Sequence, residues 1–271
     1  AVALSEALGQ QVIVENRSGA QGSVGTAAVA KAPADGYTIL LSEIGSLTMN
    51  PWLYDNTGYD PVKDFAQISL GVTYPNAVVI HPGVPAKSLK ELAALAKAKP
   101  DLLTFASASA LSQLTGELFK IVAGAKILHV PYKGAGPATI DLVGGQIDVM
   151  YATAASAIPM VRAGKTRAIA VTGPIRIPAL PNVLTSKESG FSDFEVLGWF
   201  GIAAPGNIPK DVVVRLNREV RNVLGTPALI EKLVNAGLES RTNSPEEMTD
   251  LVKSDYARWG RVVKTIGIKP Q

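Results

Sequence analysis

The sequence predicts an α/β protein made of two lobes. Short apolar segments with the length of β-strands alternate with helical segments along most of the chain, a pattern typical of parallel sheets with helices on both faces. The chain has 271 residues, which is too many for one average domain and about right for two. Two predicted strands, 76–82 and 198–205, each end at a proline and enclose a self-contained α/β block. We therefore expect them to cross between a lobe of residues 1–80 plus 199–271 and a lobe of residues 81–198.

The individual elements follow from apolar patterns and from residues that start or stop helices. A helix is expected at the first residues, with Gly9 as its stop, and Ser88 is expected to cap another. Pro209, Pro227 and Pro245 each stand where a helix would begin, a position that suits the missing N–H of proline. The predicted strands are 12–14, 37–41, 76–80, 103–106, 127–130, 147–151, 167–171, 198–204 and 238–241. The other predicted helices are 22–31, 45–54, 89–99, 112–123, 137–143, 155–163, 209–224, 227–236 and 244–266.

Composition excludes several classes of protein. The chain has no cysteine, which removes disulfides, thiolate nucleophiles and cysteine-zinc sites. No apolar run reaches the roughly 18 residues that a membrane span needs. The formal net charge is +3, with scattered basic residues. Arg215, Arg218 and Arg221 stand at helical spacing next to Glu219, which indicates a solvated helix face rather than a nucleic-acid contact.

Motifs of catalysis and of cofactor binding are not found in the sequence. His81 and His129 have no partner at metal-ligand spacing, so we interpret both as structural. The chain has no Gly-x-Ser-x-Gly motif, no dinucleotide fingerprint and no P-loop. We therefore expect no catalytic residue, no metal and no cofactor. Glu43 keeps two interpretations, a general base or a solvated or capping carboxylate.

The turns that follow five predicted strands are rich in Gly, Ser and Thr. Ligands of open α/β sheets bind beyond the carboxyl ends of the strands, where helix N-termini present free N–H groups. A single such turn is more often a tight turn or a cap, but five together favour a binding cleft. Hydroxyl and N–H donors with few acids or bases suit the capture of a carboxylate without its transformation. Lys133 either pairs with the ligand or points to solvent. The five turns are 17–23, 42–46, 107–113, 132–136 and 153–156.

Several strings along the chain resemble one family. The string Glu-Asn-Arg-Ser-Gly-Ala-Gln-Gly at 15–22 looks like the Glu-Asn-Arg-x-Gly-Ala-x-Gly signature of Bug-type receptors of tripartite tricarboxylate transporters. The string His-Val-Pro-Tyr-Lys-Gly at 129–134 and the Tyr-Asp-Pro segment at 59–61 are the most specific of the matches. Further matching strings are found at 35–38, 50–54, 62–65, 116–119, 162–165 and 259–260.

The resemblance implies a type II periplasmic binding protein fold, with two lobes joined by two crossing strands. It implies a periplasmic solute-binding protein that captures a small organic carboxylate and delivers it to two membrane transporter subunits. We expect a monomer. The candidate ligand-binding residues from the turns and from the resemblance are Gln21, Gly22, Ser42, Gly45, Ser46, Ser107, Ser109, Ser112, Tyr132, Lys133, Gly134, Ala135, Thr153, Ala154 and Ser156.

The sequence departs from the family pattern in three places. Family members usually begin with a strand and a Gly-Gly-x-x-Asp-type loop, whereas this chain starts at the following helix. We therefore expect an exposed sheet edge in the first lobe and a pocket that lacks one wall. The segment 107–116 is about two residues shorter than usual in the family and lacks the common Gly-Asn-Gly. Thr153 stands where Asp or Asn is common, which favours a plain carboxylate over an amino acid as ligand.

Two alternatives to a transport receptor remain open. The same fold can serve as a ligand-sensing receptor for a signalling partner, which the sequence does not separate from transport. The same fold can also be that of an enzyme. An enzyme would need Glu43, His129 or Lys133 to lie within hydrogen-bond distance of one another. Pocket size is expected to depend on the side chains around four residues, Ile44, Leu47, Leu111 and Trp199.

Overall fold

The computed structural model describes residues 1–270 and divides into two compact units. Unit 1 consists of Ala1–Thr73, Trp199–Leu233 and the residues from Glu239 onward. Unit 2 consists of Tyr74–Gly198 and Val234–Leu238.

The strands and helices alternate through most of the chain, as the sequence pattern predicts. The strands are β1 (Leu40–Glu43), β2 (Phe65–Ile80), β3 (Thr104–Ser107), β4 (Leu128–Pro131), β5 (Val149–Thr153), β6 (Arg167–Val171), β7 (Leu197–Pro205) and β8 (Glu239–Ser240). The helices are α1 (Val2–Leu8), α2 (Ser23–Ala30), α3 (Asn50–Leu53), α4 (Leu89–Ala98), α5 (Ala110–Ala123), α6 (Ala135–Val143), α7 (Ala154–Arg162), α8 (Lys210–Leu224), α9 (Pro227–Asn235) and α10 (Pro245–Ile266). A 3₁₀ turn at Ala20–Gly22 precedes α2, and a π-helical turn at Gly45–Met49 continues into α3.

The sheet of unit 1 has β7 between β1 and β2, and β8 pairs with β2. Helix α8 packs Leu216 against Ile68 and Ala204 of this sheet. Helix α10 buries Trp259, and the ring of Trp52 in α3 stacks on Tyr256 of α10 with centroids 4.7 Å apart. These contacts fix the turn that precedes α3.

The sheet of unit 2 has a core on each face. Strand β3 runs parallel to β4 and to β5. Because successive side chains of a strand point to opposite faces, Phe105 and Tyr151 enter one core while Ala106 and Met150 enter the other. Helices α4 and α5 cover the first face, and α6 and α7 cover the second.

The boundary between the units differs from the predicted one. Strand β2 has 16 residues and is longer than the predicted segment, and the chain changes units at Thr73 rather than at residue 80. Residues Val234–Leu238 also join unit 2, because Gly237 packs closely on α7. A Cβ atom at Gly237 would lie 2.4 Å from the Cβ of Ala154.

The predicted strand 12–14 is wrong. Residues 12–14 form no strand, and the side chains of Ile13 and Val14 are exposed. A strand requires a neighbour for its N–H and C=O groups, and no described strand pairs with this segment. The apolar triplet alone therefore does not decide its conformation.

The predicted strand 37–41 begins later than expected. The carboxylate of Asp35 accepts a hydrogen bond from the backbone N–H of Tyr37 at 3.0 Å, and this turn keeps Tyr37 out of the sheet. Strand β1 then runs from Leu40 to Glu43. It lies at the end of the strand order, and Leu41 is 69% exposed.

The predicted parallel pairing is present among β3, β4 and β5, but the sheets are mixed. Strand β2 is antiparallel to β5, β6 and β8, and β1 is antiparallel to β7. The reason is that β2 enters the sheet of unit 2 between β5 and β6 without a crossover helix of its own. Parallel strands need a crossover connection between them.

Candidate functional site

Three helices of unit 2 begin at one edge of its sheet. Helix α5 follows β3, α6 follows β4 and α7 follows β5. Because β4, β3 and β5 are parallel neighbours, their carboxyl ends share one edge, and the N-termini of the three helices meet there. None of the three carries an acidic residue in its first turn. This edge therefore collects backbone N–H donors and the positive ends of three helix dipoles.

The N–H groups of the three helices are not equally free. In α5 the hydroxyl of Ser109 accepts from the N–H of Ser112 at 3.3 Å, and the hydroxyl of Ser112 accepts from the N–H of Ala108 at 2.9 Å and of Ser109 at 3.0 Å. This capping box satisfies the N–H of Ser112 and the two N–H groups that precede α5. At α6 and α7, the preceding residues Gly134 and Thr153 make no side-chain cap. Helices α6 and α7 thus offer the freer donors.

The hydroxyls of the predicted residues in unit 2 have local partners. The Oγ atom of Ser107 lies 2.7 Å from Nε2 of His129, and Ser107 is only 2% exposed. The hydroxyl of Tyr132 donates to the carboxylate of Asp141 at 2.6 Å. Burial, together with this carboxylate, raises the pKa of Tyr132 to about 12. Tyr132 is therefore a neutral side chain whose proton is directed at Asp141.

The remaining predicted residues of unit 2 differ in exposure. Lys133 and Ala135 are exposed, whereas Ala154 is buried against Gly237. The hydroxyls of Thr153 and Ser156 lie 2.9 Å apart, and Ser156 also donates to the carbonyl of Thr153 at 3.0 Å. Burial lowers the pKa of His129, which favours a neutral imidazole beside Ser107.

In unit 1 the structure brings two of the predicted turns together. A Cβ atom at Gly22 would lie 3.1 Å from the Cβ of Ser46, so the turns containing Gln21–Gly22 and Gly45–Ser46 are in contact. They lie at a groove of about 1030 Å³ whose walls include the segment 10–17, α2 and the segment 35–41. Ser42 does not join them, since it is fully buried and its hydroxyl has no hydrogen-bond partner among the described residues.

The carboxylate of Glu43 occupies the N–H groups of the second turn. Its Oε2 atom accepts from the N–H of Gly45 at 2.9 Å and of Ser46 at 3.2 Å. The capping interpretation of Glu43 is therefore confirmed. The carbonyl of Ser46 in turn accepts from the hydroxyl of Tyr59, whose pKa burial raises to about 12.

Sequence reasoning missed the residues that hold these turns. Asn50, Tyr59 and Asp141 bond to predicted site residues from 9 to 29 positions away in the chain. Asn50 and Tyr59 lie in strings that carry the family resemblance, and this signal could have identified them. Four residues considered for the pocket wall are core residues instead: Ile44, Leu47, Leu111 and Trp199 are each at most 3% exposed.

Comparisons with known proteins agree with this architecture. The family described as the tripartite tricarboxylate transporter family receptor matches residues 1–268. Protein BugT of Bordetella pertussis is 34% identical over 269 residues, which are 98% of this chain and 82% of that protein.

Two solved structures are also similar. Rpa4515 of R. palustris with adipate has a TM-score of 0.93 and 34% identity, and the match covers 100% of this chain and 91% of that one. MatC from Rhodopseudomonas palustris with bound malate has a TM-score of 0.88 and 30% identity, with 96% and 90% covered. With sequence and structure in agreement over nearly all its length, the chain belongs to the receptor family of tripartite tricarboxylate transporters.

Proposed function

We propose that this receptor is a periplasmic solute-binding protein that captures a small dicarboxylate and delivers it to two membrane transporter subunits. The observation that carries the proposal is the edge of unit 2 where α5, α6 and α7 begin together without an acidic residue in their first turns. Such an edge attracts anions through free N–H groups and helix dipoles.

Helices α6 and α7 are the proposed carboxylate donors. Their first N–H groups have no side-chain cap, and hydrogen bonds from N–H groups to a carboxylate contribute about 1.5–3 kcal/mol each. Exposed Lys133, just before α6, adds an attraction that solvent screens. Neutral donors hold an anion reversibly, which suits a receptor that must release its cargo.

The ligand class follows from the relatives and from the neutral residues at this edge. Two similar proteins hold adipate and malate, and both are dicarboxylates. Thr153 presents a hydroxyl rather than a carboxylate, so an ammonium group would find no countercharge there. In this proposal the turns at Gln21–Gly22 and Gly45–Ser46 are the candidate ligand contacts of unit 1.

Binding without chemical turnover is the proposed outcome. Ser107 and His129 form a hydrogen bond like that of a nucleophile and its base, but Ser107 is 2% exposed and so is shielded from a substrate. Glu43 is a cap rather than a base. Ligand binding would instead shift the population towards a closed form that the membrane subunits recognise. The same closure would serve a sensor, which is the alternative.

The experiment replaces the first residue of α6 with proline. Ala135 is exposed and stands at the position where proline fits a helix without disturbing it. Ala135→Pro deletes one N–H donor, and we expect it to weaken adipate binding about tenfold or more in titration calorimetry. Lys210→Pro at the start of α8 in unit 1 is the matched control. Equal affinities of wild type and Ala135→Pro would contradict the proposed donor site.

A further inference from the structure

We propose that Asn50 is a positioning residue that holds the Gln21–Gly22 turn in the geometry that binds the carboxylate. The inference rests on the proposed function, because it takes this turn as a ligand contact. Asn50 would act through the backbone of the turn and would not touch the ligand.

The contacts of Asn50 converge on one turn. Its side chain is fully buried in unit 1. The Nδ2 atom lies 3.2 Å from the carbonyl of Ala20, 3.1 Å from the carbonyl of Gln21 and 2.9 Å from the hydroxyl of Ser23. One buried amide thus faces three acceptors within four consecutive residues.

The turn needs such a support because of its backbone conformation. The φ angles from Gly19 to Gly22 are 133°, 43°, 51° and 94°, and two of these residues, Ala20 and Gln21, are not glycine. Residues with side chains rarely adopt positive φ unless the surroundings hold them there. The amide of Asn50 supplies that support because its Nδ2 donates to the carbonyls of both Ala20 and Gln21. The two carbonyls must therefore keep their orientation to keep these hydrogen bonds.

The same contacts orient the N–H groups of the turn. In a trans peptide the C=O and the following N–H point in opposite directions. The carbonyl of Ala20 faces Asn50, so the N–H of Gln21 is directed away from the amide. The N–H of Gly22 closes the turn on the carbonyl of Gly19 at 2.9 Å.

Asn50 also joins the two predicted turns of unit 1. It stands at the junction of the π-helical turn Gly45–Met49 and α3, and its own N–H bonds to the carbonyl of Gly45. Ser46 of that turn lies against Gly22. Loss of the amide would therefore loosen the relative placement of both turns.

The test compares two buried asparagines of unit 1. Asn217 has the same kind of contact, since its Nδ2 donates to the carbonyls of Ile68 at 2.7 Å and of Asn243 at 2.8 Å, yet it supports no candidate site residue. We expect Asn50→Ala and Asn217→Ala to lower the urea midpoint to a similar extent. Only Asn50→Ala should weaken adipate binding, by about tenfold.

Hydrogen exchange separates positioning from a general loss of stability, and it needs no ligand. In Asn50→Ala the amides of Gly22 and Ser23, which donate to the carbonyls of Gly19 and Ala20, should exchange faster than in Asn217→Ala at matched global stability. Unchanged exchange in this turn, or equal adipate affinities of the two variants, would overturn the proposal. If Asn50→Ala does not fold, Asn50→Leu keeps about the same side-chain volume and removes both N–H donors of the amide. The proposal then requires faster exchange in the turn, and wild-type exchange there overturns it.

Failure of the proposed function would give a different experimental result from failure of the inference about Asn50. A wild-type protein that binds no carboxylate at all would remove the ligand role of the turn. The exchange comparison would still show whether Asn50 sets the conformation of the turn.

Discussion

Glu43 should oppose ligand binding while it stabilises unit 1. Its carboxylate lies 2.9 Å from the N–H of Gly45 and 3.2 Å from that of Ser46, in a turn proposed to face the ligand. Glu43→Gln keeps the shape and an oxygen that can accept both hydrogen bonds, but it removes the charge. The substitution therefore separates capping from electrostatics.

The two expected effects have opposite signs. Hydrogen bonds to a charged acceptor contribute about 1.5–3 kcal/mol against about 1 kcal/mol for a neutral one, so stability should fall by about 1–2 kcal/mol. At a separation of about 8 Å, two like unit charges repel by about 2 kcal/mol at an effective dielectric constant of about 20. Solvent screening reduces this to about 1 kcal/mol. The affinity for adipate should therefore rise about fivefold.

Calorimetric titration and urea unfolding of the same samples measure both effects. The control is Glu247→Gln, which changes the net charge equally and removes a capping carboxylate that accepts from the N–H of Ser244 at 2.8 Å. Glu247→Gln should lose stability without a gain in affinity. An adipate affinity of Glu43→Gln that stays at the wild-type value or falls would refute the expected repulsion.

Two further predictions concern the cores of the units. Burial raises the pKa of Asp255, although Trp199 donates a hydrogen bond to its carboxylate at 2.7 Å. Folding therefore favours the protonated acid. The free energy of unfolding should decrease as the pH rises through the raised pKa. Asp255→Asn should flatten that slope in urea midpoints measured across the acidic range, and a slope identical to that of wild type would contradict the assignment. In unit 2, a Cβ atom at Gly116 would lie 2.2 Å from a ring atom of Phe105, so Gly116→Ala should destabilise the protein by about 1–3 kcal/mol. A paired Phe105→Leu substitution should recover part of that loss, and a Gly116→Ala variant as stable as wild type would show that the ring moves freely.

Local signals predicted most of the fold. Ser88 caps α4 by accepting from the N–H of Glu91, and Ser244 forms a capping box with Glu247 before α10. Such signals lie within a few residues of each other, so the sequence alone contains them. The prediction of a strand at 12–14 was wrong because strand formation depends on a neighbouring strand, which a local sequence pattern does not identify.

The candidate site was predictable in outline and not in its hydrogen bonds. The turns after β3, β4 and β5 do share one edge, because parallel strands align their carboxyl ends. The partners that engage the side chains there are distant in sequence: His129 bonds to Ser107, and Asp141 accepts from Tyr132. Those contacts depend on strand register and helix orientation, which become known only with the structure.

The most direct test of the account is a titration of the wild-type protein with adipate and with its neutral diamide. The two molecules have nearly the same length and shape, and they differ in the negative charges of the carboxylates, one of which the N-termini of α6 and α7 are proposed to hold. The account predicts saturable binding of one adipate per chain and at least about a hundredfold weaker binding of the diamide. Equal binding of the two compounds, or no binding of any small carboxylate, would contradict it.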